Sequence, residues 1–106
     1  MGLFGPKVLD VNGEQLQDLL RSQTPPYILD VRTPGEFHEG HIPQAELIPL
    51  NELGHRLHEV PRDRPVVTVC RSGARSHTAA RHLVQAGFDV KNLQGGMLRW
   101  SGPIHR

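Results

Sequence analysis

The sequence lacks a second cysteine, a long apolar run and an excess of charge of either sign. Its single thiol, Cys70, cannot form an internal disulfide, and no stretch of about 18 apolar residues is available to span a membrane. Lys and Arg number 12 against 11 Asp and Glu, which gives a formal net charge of +1. This balance does not indicate a nucleic-acid or membrane surface, so we expect neither partner.

Residues 1–10 hold no positively charged leader followed by an apolar segment of signal-peptide length. Gly2 stands as in N-myristoylation motifs, but Pro6 occupies the position where that motif requires Ser or Thr. We therefore expect a cytoplasmic protein, in a reducing compartment where a thiol stays free. We expect one domain over residues 1–106, with a core over about 7–100 and a short, loose C-terminal tail.

Strand and helix patterns alternate along the chain. Asn12, with Gln15 three residues further on, has the pattern of a capping box that opens a helix. The β-branched run at 65–70 is the strongest strand signal, and a helix pattern follows it over about 74–86. Weaker signals predict strands at 7–10, 27–31 and 88–93, helical turns at 34–37 and 97–100, and a short amphipathic helix at 51–58. The alternation predicts an α/β fold with a parallel sheet covered by helices on both faces.

The only cysteine ends the strongest strand and precedes a loop of small and cationic residues, Arg71-Ser72-Gly73-Ala74-Arg75-Ser76. In parallel α/β folds, ligands bind beyond the carboxyl ends of the strands. Small loop residues let backbone N–H groups converge, and the first N–H groups of the following helix have no partner within it. The loop therefore predicts an anion cradle around Cys70.

Cys70 is predicted to act as a thiolate nucleophile. An unperturbed thiol has a pKa of about 8.5, and a helix N-terminus and two arginines favour its charged form. Arg71 and Arg75 also carry planar guanidinium groups suited to an oxyanion. The alternative is a buried structural thiol, since free cysteine is among the most buried residue types. The arginines and the glycine that follow Cys70 favour the nucleophile.

Four motifs in order resemble the rhodanese family over nearly the whole chain. They are ILDVR at 28–32, EFHEGHIPQA at 36–45, CRSGARS at 70–76, and the pair of glycines at 95–96 with Trp100. The family usually has Gly where this chain has Gln44, a departure that affects a turn rather than the chemistry. The resemblance implies a three-layer fold, with a central five-stranded parallel sheet flanked by helices and the Cys70 strand near its middle.

The resemblance also implies a reaction. A donor such as thiosulfate gives sulfane sulfur to Cys70, and the persulfide passes it to cyanide, a thiol or an acceptor protein. The sulfur would be surrounded by the backbone N–H groups of Arg71, Ser72, Gly73, Ala74 and Arg75, and the two arginines would bind the donor. Neighbouring loops would be held by ion pairs and hydrogen bonds from Asp30, Arg32, Glu36 and His41. No cofactor is implied.

Two other functions stay open. Phosphatases of similar fold place five residues between the cysteine and the arginine of their loop, and commonly have His before the cysteine. This chain has four residues between Cys70 and Arg75, and Val69 precedes the cysteine. By analogy with these families, the shorter loop favours sulfur over a phosphoryl group. A sulfur carrier without turnover, or a protein-interaction module of the same fold, is the other alternative, although inactive relatives usually lack the cysteine.

Seven histidines raise the question of a metal site. His38 and His41 are three residues apart, as are His55 and His58, but neither pair has a second cysteine or a His-rich partner at a known zinc spacing. We therefore expect no metal site.

Overall fold

The computed structural model describes residues 7–106. Residues 1–6 lie outside the described residues. They include Gly2 and Pro6, on which the expectation of no lipid anchor rests, the first part of the segment expected not to be a leader, and the start of the expected domain. Within 7–106, no helix is both long enough and apolar enough to cross a membrane.

Among these residues, five strands alternate with three α-helices. The strands are β1 Leu9–Val11, β2 Tyr27–Asp30, β3 Ala45–Leu47, β4 Val66–Val69 and β5 Val90–Leu93. The α-helices are α1 Gly13–Leu20, α2 Pro34–Glu39 and α3 Ala74–Gln85, and 3₁₀ helices cover Leu50–His55, Leu57–Glu59 and Gly96–Arg99. All strand pairs are parallel, in the order β1-β5-β4-β2-β3, so β4 lies in the middle of the sheet. The expected α/β fold is confirmed.

Apolar clusters cover the sheet on both faces, which gives the three layers expected. One cluster joins the sheet to α3 and includes Leu29, Val66, Leu83 and Phe88. The other joins it to α1 and the C-terminal 3₁₀ helix and includes Val11, Leu16, Ile28, Val67 and Trp100. Neighbouring strand residues belong to opposite clusters because successive side chains of a strand point to opposite faces. Both faces of the sheet are therefore buried.

Capping boxes open the two shorter α-helices. As predicted, the Gln15 N–H donates to Asn12 Oδ1 at 2.8 Å and the Asn12 N–H donates to Gln15 Oε1 at 2.9 Å. A second capping box, between Thr33 and Glu36, was not predicted. It starts a helix of six residues where we expected a single turn. The box fixes the position of Glu36, which matters for the site described below.

The prediction of an amphipathic helix at 51–58 is wrong, because two short 3₁₀ helices cover this segment instead. Arg56, with φ of −125°, separates them. Gly54 weakens any helix through this segment by about 1 kcal/mol relative to alanine. The Arg56 guanidinium also pairs with Glu52 at 2.8 Å and with Glu59 at 2.7 Å, one on each side of the break. The amphipathic pattern predicted that Leu53 and Leu57 face inward; Leu53 is buried, and Leu57 is partly buried against the core.

The expectation of a loose C-terminal tail is also wrong. His105 and His41 exchange two backbone hydrogen bonds, of 2.9 and 2.8 Å. The Trp100 indole donates to the Pro103 carbonyl at 3.0 Å, and Arg106 Nε donates to the Glu39 carbonyl at 3.0 Å. The tail therefore packs against the end of α2. His41 and Glu39 are more than 60 residues away from their partners in the tail, which is why local composition did not indicate these contacts.

Candidate functional site

The central strand β4 brings Cys70 to the carboxyl edge of the sheet. Every residue of β4 is buried, and Cys70 is only 1% exposed. The helix α3 begins at Ala74, and Gly73 before it has a φ of 107°. Glycine takes such a conformation without the strain that a side chain would add. The loop can therefore turn tightly between strand and helix, with the cysteine at the N-terminus of α3.

The sulfur of Cys70 accepts hydrogen bonds from its own loop. The Gly73 N–H donates to Sγ at 3.1 Å, and the Ser76 hydroxyl donates to it at 3.3 Å. Ser76 lies in the first turn of α3 and is fully buried. The sequence predicted a cradle of backbone N–H groups, but not that the Ser76 hydroxyl would complete it. Both donors point toward the atom that would carry negative charge.

These contacts determine the protonation of the thiol. Burial raises the pKa of Cys70, since it disfavours the charged form, but hydrogen bonds outweigh that effect. The strongest comes from the Ser76 hydroxyl, followed by the backbone N–H groups of Ser76, Gly73 and Ser72. The pKa of Cys70 therefore lies below its ordinary value. The largest causes of the lowering are therefore hydrogen bonds within the loop, and the charge of Arg75 also interacts with that of Cys70.

The C-terminal 3₁₀ helix holds two carbonyl groups of the loop. The Met97 N–H donates to the Cys70 carbonyl at 2.9 Å, and the Leu98 N–H donates to the Arg71 carbonyl at 3.0 Å. This approach requires a glycine at 96, because a Cβ there would lie 2.5 Å from both carbonyl oxygens. This pair of glycines was identified from the sequence as part of a family motif, but its contact with the cysteine loop was not predicted.

The two loop arginines have different surroundings. Arg75 donates to Glu36 Oε1 and Oε2, both at 2.8 Å, and these bonds raise the pKa of its guanidinium. The same contact with Arg75 is the largest cause that lowers the pKa of Glu36, to about 2, against an opposing effect of burial and with further help from Thr33. The structure thus brings together two predicted site residues from α2 and α3. Arg75 is occupied by a carboxylate in this structure, and its expected role in donor binding stays a prediction.

Arg71 is exposed at the mouth of the loop. Within residues 7–106 it forms no ion pair. It lines a cleft of about 220 Å³ whose other side chains are both apolar and charged: Met97, Leu98, Ile104, Arg32, Glu36 and Glu39. A guanidinium at the edge of such a cleft can bind an anion that approaches the cysteine.

Asp30 and Arg32 form a buried ion pair at the end of β2. The Arg32 Nη2 donates to Asp30 Oδ2 at 2.8 Å and to the Gly40 carbonyl at 2.8 Å. The Arg32 side chain is 7% exposed and the Asp30 side chain is 0% exposed. A buried ion pair is favourable only when its remaining polar groups also have partners, as they do here. The pair therefore connects the central sheet to the loop after α2.

His41 belongs to the same loop and stacks on Phe37. The ring centroids are 3.7 Å apart, and His41 Nδ1 donates to the Phe37 carbonyl at 2.8 Å. This contact fixes the ring between α2 and the C-terminal tail. His41 therefore contacts both α2 and the tail, and its expected role in holding the neighbouring loops stays a prediction.

Two buried polar residues beneath the loop were missed. Thr68 on β4 and Asn92 on β5 are partners in the parallel ladder, and both side chains are buried. Asn92 Nδ2 donates to the Gly73 carbonyl at 3.1 Å, and the Thr68 hydroxyl donates to Asn92 Oδ1 at 3.2 Å. The available signal was a polar side chain within two otherwise apolar strands, where a buried polar group needs a specific partner.

Other possible sites are less closely tied to the cysteine. Across residues 7–106, no group of three or more His, Cys, Asp and Glu side chains is arranged to hold a metal ion. A larger cleft, of about 450 Å³, is lined by Tyr27, Glu46, Arg56 and Arg64 among others, and includes no residue of the cysteine loop.

Comparisons with known proteins agree with this geometry. The sequence model of the Rhodanese-like domain family matches residues 12–103. A curated relative named "Sulfurtransferase", from Allochromatium vinosum, is 40% identical over 95 residues, 89% of each chain. The "Thiosulfate sulfurtransferase GlpE" of Pseudoalteromonas translucida is 38% identical over 74 residues, which is 69% of this chain and 70% of that relative. A solved rhodanese-like domain protein from Staphylococcus aureus matches with a TM-score of 0.87 and 30% identity, over 92% of this chain and 97% of that one.

Proposed function

The chain belongs to the rhodanese-like domain family, and on that basis we propose that it is a sulfurtransferase whose Cys70 carries the sulfur. The donor is thiosulfate or a related persulfide. The acceptor is thiophilic, either cyanide, a small thiol or the thiol of an acceptor protein. Relatives that carry the name sulfurtransferase support the reaction class.

The reaction starts from the Cys70 thiolate. It attacks the outer sulfur of thiosulfate, a new S–S bond forms, and the old S–S bond breaks so that sulfite leaves with its electron pair. Cys70 is then a persulfide anion. Cyanide attacks the terminal sulfur and leaves as thiocyanate, which returns the thiolate. Covalent catalysis of this kind divides one difficult transfer into two easier displacements.

The observation that carries the proposal is the pair of donors on Cys70 Sγ, the Gly73 N–H at 3.1 Å and the Ser76 hydroxyl at 3.3 Å. Hydrogen bonds to the charged form of a group stabilise that form. At neutral pH they increase the thiolate fraction, and the thiolate is the nucleophile. A persulfide has the same single negative charge one sulfur further out, so the same electropositive loop favours it.

The exposed charge of Arg71 supports an anionic donor. Thiosulfate has two negative charges, and the exposed guanidinium at the mouth of the loop attracts it toward the sulfur. Arg75 adds less net charge because Glu36 is paired with it. The four residues between Cys70 and Arg75 also support sulfur rather than a phosphoryl group as the species transferred.

Mass spectrometry after incubation with thiosulfate tests the proposal. We expect the peptide that contains Cys70 to gain about 32 Da, the mass of one sulfur in a persulfide. Cys70→Ser is the matched control and gains nothing. Cyanide should then remove the added mass and release thiocyanate in equal amount.

Repeated turnover of thiosulfate and cyanide distinguishes a sulfurtransferase enzyme from a sulfur carrier. Steady production of thiocyanate by the wild type, and none by Cys70→Ser, supports the enzyme. A persulfide that forms from a cysteine desulfurase while thiosulfate gives neither persulfide nor thiocyanate favours a sulfur carrier instead. An unmodified Cys70 with every donor, together with hydrolysis of a phosphate ester, would overturn sulfur transfer altogether.

A further inference from the structure

The carbonyl oxygen of Gly73 lies within reach of three donors. The His77 N–H donates to it at 3.0 Å as the first hydrogen bond of α3. Asn92 Nδ2 donates to it at 3.1 Å, and Ser76 Oγ lies 3.2 Å from it. The same Ser76 oxygen lies 3.3 Å from Cys70 Sγ. Two acceptors therefore compete for one hydroxyl hydrogen.

The number of lone pairs decides this competition. A carbonyl oxygen has two acceptor lone pairs, and a serine hydroxyl has a single hydrogen to donate. His77 and Asn92 between them occupy both lone pairs of the Gly73 carbonyl. The hydroxyl hydrogen of Ser76 then has its open acceptor in the sulfur of Cys70.

We propose that Asn92 is a positioning residue for the nucleophile, because its amide occupies the Gly73 carbonyl and so directs the Ser76 hydroxyl to Cys70. Without the amide, the carbonyl regains a free lone pair within hydrogen-bond distance of the hydroxyl, at 3.2 Å, and competes with the sulfur for its hydrogen. Asn92 does not touch the reacting atoms. It acts through Gly73 and Ser76.

Thr68 fixes the orientation of that amide. Its hydroxyl donates to Asn92 Oδ1 at 3.2 Å, whereas the other acceptor within reach, the Lys91 carbonyl, lies at 3.5 Å. With Oδ1 held on this side, Nδ2 faces the Gly73 carbonyl. The side chains of Thr68, Asn92 and Ser76 are all buried, so water does not replace their hydrogen bonds. A series of hydrogen bonds therefore connects the middle of the sheet to the sulfur of Cys70.

This inference deepens the proposed function, since it concerns the reactivity of the same thiol. Alkylation by iodoacetamide measures that reactivity without any sulfur donor, because it follows the thiolate fraction. The proposed function fails if no donor gives a persulfide on Cys70. This inference fails on the alkylation rate alone, so the two failures can be distinguished.

Asn92→Ala is the main test variant. We expect its alkylation rate at pH 6.5 to fall roughly three- to tenfold, and the midpoint of its pH–rate profile to move to higher pH, as the loss of a hydrogen bond to a charged group predicts. Thr68→Val, which keeps the shape of the side chain, should move the profile in the same direction by less. Lys91→Ala, on the exposed side of the same strand, should leave it unchanged.

The Ser76→Ala background shows whether Asn92 acts by positioning the Ser76 hydroxyl or by a general effect on the structure of the loop. Once the hydroxyl is absent, Asn92→Ala and Thr68→Val should have no further effect on the profile, since coupled residues are not additive. The inference would be overturned if Asn92→Ala had the pH–rate profile of the wild type. It would also be overturned if Asn92→Ala slowed alkylation equally with and without the Ser76 hydroxyl. If Asn92→Ala does not fold, the Thr68→Val and Ser76→Ala pair gives the same comparison.

Discussion

Arg75 donates two hydrogen bonds of 2.8 Å to the two carboxylate oxygens of Glu36, so the last arginine of the cysteine loop is paired with the first turn of α2. The Thr33 N–H donates to the same carboxylate at 3.0 Å. A bidentate pair of this kind fixes direction as well as distance. It holds the loop against α2 and offsets one of the two positive charges beside the cysteine.

The first prediction compares the two loop arginines. Arg71→Ala should raise the KM for thiosulfate by about tenfold or more, because Arg71 offers an unshared charge and one charge-assisted hydrogen bond contributes about 1.5–3 kcal/mol. Arg75→Ala should raise it less. Steady-state kinetics over a range of thiosulfate concentrations measures both, and Arg81→Ala, an exposed position on α3, is the control. A larger effect at Arg75 would show that Glu36 releases it to bind the donor.

The second prediction is a pH dependence of stability from Glu36. Its pKa in the folded protein is lowered to about 2, so the carboxylate stabilises the fold above its unfolded pKa of about 4.5 and loses that effect as the pH falls toward 2. The difference in unfolding free energy between wild type and Glu36→Gln should be constant from pH 5 to 7 and shrink from pH 4.5 downward. Urea unfolding at pH 6 and pH 3 measures it. A difference that does not change between these values would contradict the pairing.

Local sequence signals predicted the parts of the site that are close together in the chain. The strand that ends at Cys70, the loop to Ser76 and the helix that follows need only neighbours, as does the capping box of Asn12. The contacts that shape the site join distant segments instead. Arg75 meets Glu36 across 39 residues and Asn92 meets Gly73 across 19, and only the order of the strands brings such partners together.

A third prediction concerns the approach of the last 3₁₀ helix to the cysteine loop. Gly96→Ala should lower stability by about 1–3 kcal/mol, because alanine is strained at a φ of +57° and its Cβ would press on the carbonyls of Cys70 and Arg71. Sulfur transfer should fall with it, since the loop must move. Gly35→Ala is a matched control, because an added Cβ there meets nothing within 4 Å. Thermal unfolding and thiocyanate production measure both effects.

If Gly96→Ala were as stable and as active as Gly35→Ala, the contact would not shape the loop. Gly35 lies in α2, where alanine is the better helix former, so that variant should be unchanged or slightly stabilised.

The fourth prediction links stability to the thiolate. Since the pKa of Cys70 is lowered in the folded protein, the ionised thiol adds stability that is fully present above the unfolded pKa, about 8.5–9, and is lost as the pH falls through the folded value. The wild type should therefore gain stability relative to Cys70→Ala between pH 6 and pH 9. Urea unfolding in a reducing buffer measures this gain.

Ser72→Ala is the control for that experiment. It changes an exposed loop side chain but no ionisable group, so its difference from the wild type should not vary with pH. If the Cys70→Ala difference were equally flat, the folded thiol would have an ordinary pKa and the loop hydrogen bonds would not favour its charge.

The strand order has a consequence for the order in which the protein is made. β4 cannot be flanked on both sides until β5, at residues 90–93, has been synthesised, and β1 pairs only with that same last strand. Asn92, Met97 and Leu98, which hold the cysteine loop, also come late in the chain. The contacts that hold the cysteine loop from outside can therefore form only after residues 92–98 have been synthesised, later than the loop and the helix that follows it.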